Sequence, residues 1–323
     1  TSTPTSTPTS TATPTATPTA TDPPSTFLDR SHAILEHGIF DTVAWFDRIF
    51  ADDSNVDFGR NDSALRWQNE VRLADDRGVA YRSGVRIDLR LPQVESWFRR
   101  WRIIVYAENL ANQATLLAED PSNPALTSAT GPGHAAAELR YDVFRAVLAH
   151  VDLGGGIKME FPPGAFVRSR FRSTLRLTPI TLGRVTTTGF FDTQQRLGNA
   201  NQLELEQQLG PTWLLRWNNV ATITQVSRGW EWGTETALMK ALSPTRALSL
   251  SGGLVGFTEP GAVVKQYRVA LRVRTDAWRR WVFVEAEPDI SWIRDDLLAT
   301  RRRVLGLTFR LEIHFQGNPE TAR

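Results

Sequence analysis

In the segment RRVLGLTFRLEIHF, residues 302–315, near the end of the 323-residue chain, every second residue from Leu305 onward is apolar. These residues are Leu305, Leu307, Phe309, Leu311, Ile313 and Phe315. The other parity is mostly polar or small: Val304, Gly306, Thr308, Arg310, Glu312 and His314. A period of two is typical of a β-strand with two unlike faces. A strand of this length must bury its apolar face, either in a protein core or in lipid.

Segments with the same period recur along the chain from about residue 63 onward. The first two are ALRWQNEVRL and YRSGVRIDLRL, and each carries apolar residues on one parity and mostly polar residues on the other. The remaining segments are 101–108, 138–147, 151–161, 166–177, 182–192, 200–209, 212–224, 230–241, 247–257, 265–275, 280–291 and 302–315. The pattern predicts an all-β chain of about fourteen antiparallel strands. Twelve strands remain open if segment 138–147 and its neighbour do not form a hairpin.

Composition excludes several classes of protein. The formal net charge of +2 offers no case for nucleic-acid binding, and the absence of cysteine excludes disulfides and thiolate metal sites. No run of 18 apolar residues is present, so a transmembrane helix is not predicted. The mean hydropathy of −0.29 is compatible with a soluble protein. It is equally compatible with a membrane-spanning barrel, in which half of each strand faces a polar lumen.

Two further regions precede the strands. Residues 1–25 are rich in Thr and Pro and contain nothing that can form a core, which predicts a disordered spacer. Residues 26–50 carry apolar residues at helical spacing, which predicts one amphipathic helix. This helix could lie at a membrane interface, plug a barrel or pack on a domain, and the sequence leaves the three placements open.

The connections and the tryptophans favour a membrane-spanning barrel over a soluble β-sandwich. Turns at one end of the predicted strands are short, whereas the other end includes the one long connection, 109–137. Most of the 11 tryptophans fall near predicted strand ends: Trp67, Trp97, Trp101, Trp213, Trp230, Trp232, Trp278 and Trp292. Indole rings prefer the interface between lipid and water, where the ring is buried and its N–H stays hydrated. A sandwich would also need polar outer faces on both of its sheets.

Residues 63–315 resemble the Gram-negative outer-membrane β-barrel superfamily, and LTFRLEIHF looks like the closing strand that its insertion machinery reads. The resemblance implies a membrane-insertion signal formed by Phe309, Leu311, Ile313 and Phe315. It also implies contact with outer-membrane lipid, location in the cell outer membrane and a periplasmic tail at 316–323. This strand departs from the usual signal in two ways. Eight residues follow Phe315, and the glycine that is often found within the signal lies further upstream here, at Gly306.

If the apolar parity faces lipid, the opposite parity faces the barrel interior. The predicted lumen-lining side chains are Arg82, Arg86, Arg90, Arg102, Arg168, Arg170, Arg172, Glu204, Glu206, Glu231, Glu235, Arg268, Arg272, Glu285, Glu287 and Asp289. In a ring of fourteen, strand six faces strand thirteen, so a basic wall would face an acidic wall. Such an arrangement resembles the constriction of diffusion porins, where a transverse field orients polar solutes. Inward side chains of neighbouring strands also carry opposite charges. Ion pairs between neighbouring strands could therefore fill a narrow bore and hold it closed.

Two functions follow as hypotheses. The first is a monomeric outer-membrane channel for small polar or anionic solutes. The second is a closed structural barrel that anchors a periplasmic or surface protein, with the spacer 1–25 and the helix 26–50 as the tether. An enzyme is not predicted, and no cofactor, metal ion or nucleic-acid partner is expected. No Ser/His/Asn set lies on an outward parity, as an outer-membrane phospholipase would require.

Overall fold

The computed structural model describes residues 39–40, 42–47, 49–50, 63–76, 78–90, 100–109, 134–145, 149–159, 162–227, 229–279, 281–294 and 299–316. The predicted spacer 1–25, the first part of the predicted helix 26–50 and the tail beyond Gln316 lie outside these residues. Among the described residues, no helix is both long and apolar enough to cross a membrane.

Fourteen strands account for most of the described residues. They are β1 (Ala64–Ala74), β2 (Gly78–Arg90), β3 (Trp101–Asn109), β4 (His134–Arg145), β5 (Ala149–Lys158), β6 (Gly164–Thr178), β7 (Thr181–Asp192), β8 (Arg196–Gly210), β9 (Trp213–Thr224), β10 (Trp230–Ser243), β11 (Arg246–Phe257), β12 (Val263–Asp276), β13 (Val282–Ile293) and β14 (Arg302–Gln316). The predicted number of strands is confirmed. The twelve-strand alternative is wrong, because β4 pairs along its length with both β3 and β5.

The strands form one closed antiparallel barrel, in which each strand pairs with its neighbours in sequence and β14 pairs with β1. In the closing pair, Val71 lies opposite Phe309 and Leu65 lies opposite Phe315. Closure leaves no sheet edge whose N–H and C=O groups lack partners. Lipid tails cannot replace those hydrogen bonds, so closure is a requirement for a sheet that spans a bilayer.

The side chains show the opposite distribution from that of a soluble protein. On β6, Arg168 and Arg170 are buried inside the barrel, whereas Phe171 is exposed on its outer surface. Strand β14 follows the same rule, since Phe309 is 47% exposed and Glu312 is fully buried. Within the described residues, exposed large apolar side chains occur on the outer face of every strand except β3 and β13, and a soluble protein rarely exposes so large an apolar surface. This outer surface fits the hydrocarbon core of a bilayer.

The two ends of the barrel differ in the length of their connections. The end that holds the first residue of β1 and the last residue of β14, called here the terminal end, has short turns such as 179–180. The opposite end, called the loop end, includes the long connection 110–133 between β3 and β4. Trp101 and Trp213 begin their strands at the terminal end, and Trp230 begins β10 at the loop end. This asymmetry and these indole positions are typical of barrels that span the outer membrane.

Candidate functional site in the barrel interior

The inner wall of the barrel divides into sectors of different chemistry. The seam cluster surrounds the β14–β1 closure and comprises Arg66, Glu70, Arg72, Arg268, Arg272, Arg274, Glu285, Glu287, Asp289, Arg310 and Glu312. The β4–β6 cluster comprises Glu138, Arg140, Asp152, Arg168 and Arg170. The helix cluster comprises Asp47, Arg184, Glu204, Glu206 and Arg216. The small-residue sector of β10 and β11 comprises Ala237, Ala241, Ala247, Ser249, Ser251 and Gly253.

Buried ion pairs in the seam cluster run continuously across the barrel closure. Arg274 bridges two acids, at 3.3 Å from Glu285 and 2.6 Å from Glu312. Arg310 contacts Glu285 and lies 2.7 Å from Glu70. Because Arg310 belongs to β14, its guanidinium ties an acid of β13 to an acid of β1. The electrostatic network therefore follows the same path as the backbone hydrogen bonds that close the ring.

The seam cluster extends to β12 through two further arginines. Arg268 lies 2.5 Å from Glu287 and 3.3 Å from Asp289, and Arg272 lies 2.5 Å from Glu287. On the other side, Arg72 of β1 lies 2.7 Å from Asp289. Glu287 has no exposed surface, so its charge depends on these guanidiniums and not on water.

Strand register explains why these charges meet. Glu285 lies opposite Arg310 in the β13–β14 ladder and opposite Arg274 in the β12–β13 ladder. Glu70 lies opposite the same Arg310 in the β1–β14 ladder. Side chains that are directly opposed on one face have Cβ atoms about 5 Å apart, a distance that an arginine side chain easily spans. The seam cluster is therefore a direct consequence of inward parity combined with register.

A similar network lies across the β4–β6 cluster. Arg168 donates from Nε to Glu138 at 2.8 Å, and Arg170 donates from Nε to Asp152 at 2.8 Å. Gly154 of β5 lies opposite Arg168 and faces the same space. A Cβ at Gly154 would overlap the Glu138 carboxylate, so the glycine leaves room for this ion pair.

The described part of the N-terminal helix, residues 39–50 without 41 and 48, lies inside the terminal end of the barrel. Its buried apolar side chains include Ile39, Val43, Phe46 and Ile49. They form one core with inward-facing residues of β7, β9, β10 and β11: Leu182, Leu214, Ala237, Met239 and Ala247. The helix therefore occupies part of the bore, which is one of the three placements that the sequence leaves open.

Polar contacts also join this helix to the wall. Gln208 of β8 donates to the Thr42 hydroxyl at 3.1 Å. Asp47 forms an ion pair with Arg216, and Arg216 lies 2.5 Å from Glu206. Asp47 therefore belongs to the network of ion pairs on β7–β9. An ion pair and a hydrogen bond hold one side of the helix against the wall, and apolar packing holds the other side.

Between the helix and the loop end, the inner wall remains accessible to water. Inward-facing side chains in this part of β9, β10 and β11 are half-buried and not buried: Asn218, Val220, Thr222, Glu235, Ser251 and Gly253. Most of them are small and uncharged, so they leave space that the long side chains of the seam cluster do not. Water in the bore therefore contacts small, mostly uncharged side chains on β9–β11 and long charged side chains at the seam cluster.

Fifteen of the sixteen predicted lumen-lining residues have described side chains, and all fifteen fall on the inward parity of their strands. Arg82 and Arg102 are buried, and Arg86 is half-buried with its guanidinium 4.8 Å from the centre of the Tyr106 ring. Glu231 is exposed close to the loop end of β10. The Arg90 side chain lies outside the described residues.

The predicted division into a basic wall and an acidic wall does not match these contacts. Arg168 and Arg170 of β6 pair with acids of β4 and β5, and the acids of β13 pair with arginines of β12, β14 and β1. Neighbouring strands lie about 5 Å apart, whereas β6 and β13 stand on opposite sides of the ring. Coulomb attraction falls with distance, so charges on adjacent strands neutralise each other before the opposite wall can act.

Twelve residues of these clusters are not among the predicted lumen-lining side chains. They are Asp47, Arg66, Glu70, Arg72, Glu138, Arg140, Asp152, Arg184, Arg216, Arg274, Arg310 and Glu312. For the eleven on strands, the parity that placed the other residues in the lumen also applies, so parity alone could have identified them. Asp47 differs, because its role depends on where the helix docks.

Among the described residues, no group of three or more His, Asp and Glu side chains is arranged to hold a metal ion. His150 lies 3.1 Å from Asp142 through Nε2, and His314 contacts Glu312. The side chains of His32, His37 and His134 lie outside the described residues. Each described histidine therefore has a carboxylate partner in the wall of the barrel.

Comparison with known proteins relates the chain to solved structures alone, since no protein-family model and no curated protein sequence matches it. OmpTdeltaL8, a loop L8 deletion mutant of OmpT, an outer membrane protein of Vibrio cholerae, is similar with a TM-score of 0.50 and 11% identity over 79% of this chain and 98% of that chain. The outer membrane channel DcaP of Acinetobacter baumannii gives 0.47 and 6% identity over 78% and 96%. OprB of Pseudomonas putida, in a low-pH structure, gives 0.45 and 12% identity over 79% and 93%.

At these identities the likeness concerns the fold. The geometry of the chain adds to it: a closed ring of fourteen antiparallel strands, an apolar outer face, a charged interior and short turns at the end that holds both barrel termini. The chain has the fold of the Gram-negative outer-membrane β-barrels, and its apolar outer face fits the hydrocarbon core of a bilayer.

Proposed function

We propose that the protein is a narrow outer-membrane channel for small polar or anionic solutes, with the N-terminal helix as a plug at its terminal end. The observation that carries this proposal is the half-buried, largely uncharged inner wall of β9–β11 between the helix and the loop end. A wall of this kind supports passage of polar solutes, because small side chains leave space and hydroxyl and amide groups hydrogen-bond the solute. The proposed transport involves no chemical change of the solute.

The contacts of the helix support a plug that can be displaced. It packs on the barrel through an apolar face, and its polar contacts include Thr42–Gln208 and Asp47–Arg216. Its removal would break no hydrogen bond between strands, since the fourteen ladders close without it. The barrel wall and the plug are therefore separable parts of one structure.

Single-channel recording in planar lipid bilayers tests the proposal. The full chain and a chain without residues 1–50 are reconstituted separately, and heat-modifiable gel migration checks that both barrels are folded. We expect low or infrequent conductance from the full chain and a larger, steadier conductance after removal of residues 1–50. If neither protein conducts although both are folded, the channel proposal is wrong.

A second candidate function is a closed structural barrel that anchors a periplasmic or surface protein. The observation that favours it is the near-complete burial of long charged side chains in the bore, such as Arg274 at 1% and Glu287 at 0% exposure. Side chains in a wide aqueous pore would be solvated, whereas these pack as an interior. Folded protein that conducts neither with nor without residues 1–50 would favour this function.

A further inference from the structure

One region of the lipid-facing surface is polar. At mid-height on β3–β5 and β11–β14, the described outward side chains include no Asn, Ser or Thr, and large apolar residues such as Leu153, Val269 and Phe309 predominate. The region on β6–β10, called here the outer polar patch, comprises Ser169, Thr187, Asn199, Asn201, Asn219, Thr234 and Thr236. None of these residues carries a charge.

Strand register makes most of the patch contiguous. Thr187 lies opposite Asn201 in the β7–β8 ladder, and Asn219 lies opposite Thr234 in the β9–β10 ladder. Thr187 and Asn219 are each the seventh residue of a strand of 12, so they lie at the middle of the barrel wall and not at its rim. This depth corresponds to the hydrocarbon core of the bilayer, where amides are rare on a surface that meets lipid.

Hydrogen bonds within the patch satisfy some of these groups. The Thr187 hydroxyl donates to Asn201 Oδ1 at 3.1 Å, and Asn201 Nδ2 donates to Asn199 Oδ1 at 2.5 Å. The Asn219 amide nitrogen, however, is enclosed and donates to no acceptor among the described residues. Lipid tails offer neither donor nor acceptor, so the hydroxyl and amide groups of the patch that do face outward are costly there unless protein meets them.

A smaller polar group on β1–β2 provides a contrast. There, Asn69 Oδ1 accepts hydrogen bonds from the Tyr81 hydroxyl at 2.7 Å and from the Ser83 hydroxyl at 3.0 Å. Trp67 Nε1 in turn donates to Ser83 at 3.3 Å. This group is confined to two strands, whereas the outer polar patch spreads over five. In the patch, too, an indole takes part, since Trp217 Nε1 donates to the Thr234 hydroxyl at 2.9 Å.

We propose that the outer polar patch is the surface through which two copies of this chain associate within the membrane. Amide and hydroxyl groups both donate and accept hydrogen bonds, so a patch built from them is complementary to itself when two copies meet around a two-fold axis. The absence of charge from the patch argues against a partner with an oppositely charged surface. Gly189 and Ala221, which also face outward here, allow two walls to approach closely.

This association is independent of transport. The patch lies on the outer side of the wall, so a dimer is expected whether or not the bore conducts. Failure of the channel proposal would therefore leave the dimer proposal intact, and the reverse is also true.

Cysteine cross-linking in lipid vesicles tests the interface, because the chain has no native cysteine to interfere. Asn219→Cys places a thiol in the patch, and Val269→Cys places one at mid-height on β12, outside the patch. A short bis-maleimide reagent should convert most of the Asn219→Cys protein to a covalent dimer and little of the Val269→Cys protein. Equal yields from both positions, or no dimer from either, would overturn the proposal.

Mass measurement in mild detergent gives a second test that does not depend on a reactive thiol. The unsubstituted chain should have the protein mass of a dimer, and the double variant Asn201→Leu, Asn219→Leu should have the mass of a monomer. The matched control Asn69→Leu, on β1, should remain a dimer. All three should keep heat-modifiable migration, which reports a folded barrel. A monomeric unsubstituted chain, or a double variant that stays dimeric, would contradict the proposed interface.

Discussion

The seam cluster and the small-residue sector occupy the same bore but fill it in different ways. On the seam side, long side chains of the wall itself reach inward and pair with each other, as Arg310 does with Glu70 and Glu285. On β10 and β11, the inward side chains are too small to fill the space, and the helix packs against Ala237 and Ala247 instead. The first filling is part of the barrel, whereas the second is a separate element.

This difference has an energetic consequence. Removing one member of the seam cluster leaves a buried charge without its partner, which destabilises the barrel itself. Removing the helix uncovers apolar wall but leaves every ladder closed. Within the described residues, the helix side is therefore where the bore can open without damage to the fold.

The largest expected effect comes from breaking the seam side. Glu285→Ala should lower the free energy of unfolding by about 3–5 kcal/mol, because Arg274 and Arg310 would keep buried charges that no longer meet this carboxylate. Urea unfolding in lipid vesicles, followed by heat-modifiable migration, measures the loss. Glu231→Ala is the matched control, since that acid lies exposed near the loop end, and it should change stability by about 0.5 kcal/mol or less. Equal effects from the two variants would show that the network does not stabilise the barrel.

The outward face of the seam strands should respond to charge with the next largest effect. Phe309→Arg places a guanidinium at mid-height on the apolar outer face of β14, and it should cost about 2–4 kcal/mol and reduce insertion. Membrane yield and unfolding in vesicles measure this change. Arg303→Gln, at the exposed loop end of the same strand, is the control and should insert normally. Normal yield of Phe309→Arg would mean that this face does not meet lipid.

Much of this comparison could be predicted from sequence, because strand number and parity are local properties. The alternation in RRVLGLTFRLEIHF is enough to place Phe309 outside and Arg310 inside. Pairing of the inward charges depends on register across different strands, so the link from Arg310 to Glu70 could not be predicted from either strand alone. The start of β4 was predicted four residues late, because Ala135 and Ala137 give a weak alternation signal.

Docking of the helix was beyond prediction for a different reason. The stripe of Ile39, Val43 and Phe46 indicates an apolar face, but it does not identify the surface that covers it. The complementary signal was present on the barrel, where the inward parity at the terminal end of β10 and β11 is small or apolar, as at Met239 and Ala247. The apolar helix face and the small or apolar inner wall can be matched to each other only when the closed barrel places both in one bore.

Weakening the docking of the helix should have a smaller effect than the two changes on the seam strands. It tests whether the helix can leave the bore while the barrel stays folded. Asp47→Asn removes the ion pair with Arg216, which should weaken helix docking by about 1.5–3 kcal/mol without a comparable loss of barrel stability. A Val43→Cys background reports docking, because this side chain is buried against the wall and should react with a water-soluble maleimide only when the helix leaves. Asp47→Asn should accelerate the labelling, whereas Asp76→Asn, in the turn after β1, should not. Unchanged labelling would contradict a displaceable plug.

The smallest expected effect concerns ion selectivity, and it tests whether charges that are already paired within the barrel wall act on permeating ions. Changing Arg168, Arg170 and Arg172 to Gln should shift the reversal potential of a conducting barrel toward cations. The shift should be modest, because Arg168 and Arg170 already share their charge with Glu138 and Asp152. It should be clearest at low salt, since the screening length falls to about 8 Å near physiological ionic strength.

Recordings for this variant are best made without residues 1–50, so that the helix does not limit the current. The control Arg168→Gln, Glu138→Gln removes one charge of each sign from the same ion pair, leaves the net charge of the wall unchanged and should not move the reversal potential. If the triple variant also leaves it unchanged at low salt, the inward arginines act only to hold the wall together. Permeating ions would then be controlled by the half-buried, mostly uncharged side chains of β9–β11, and the charged sectors would be structural fillers whose pairing closes most of the bore.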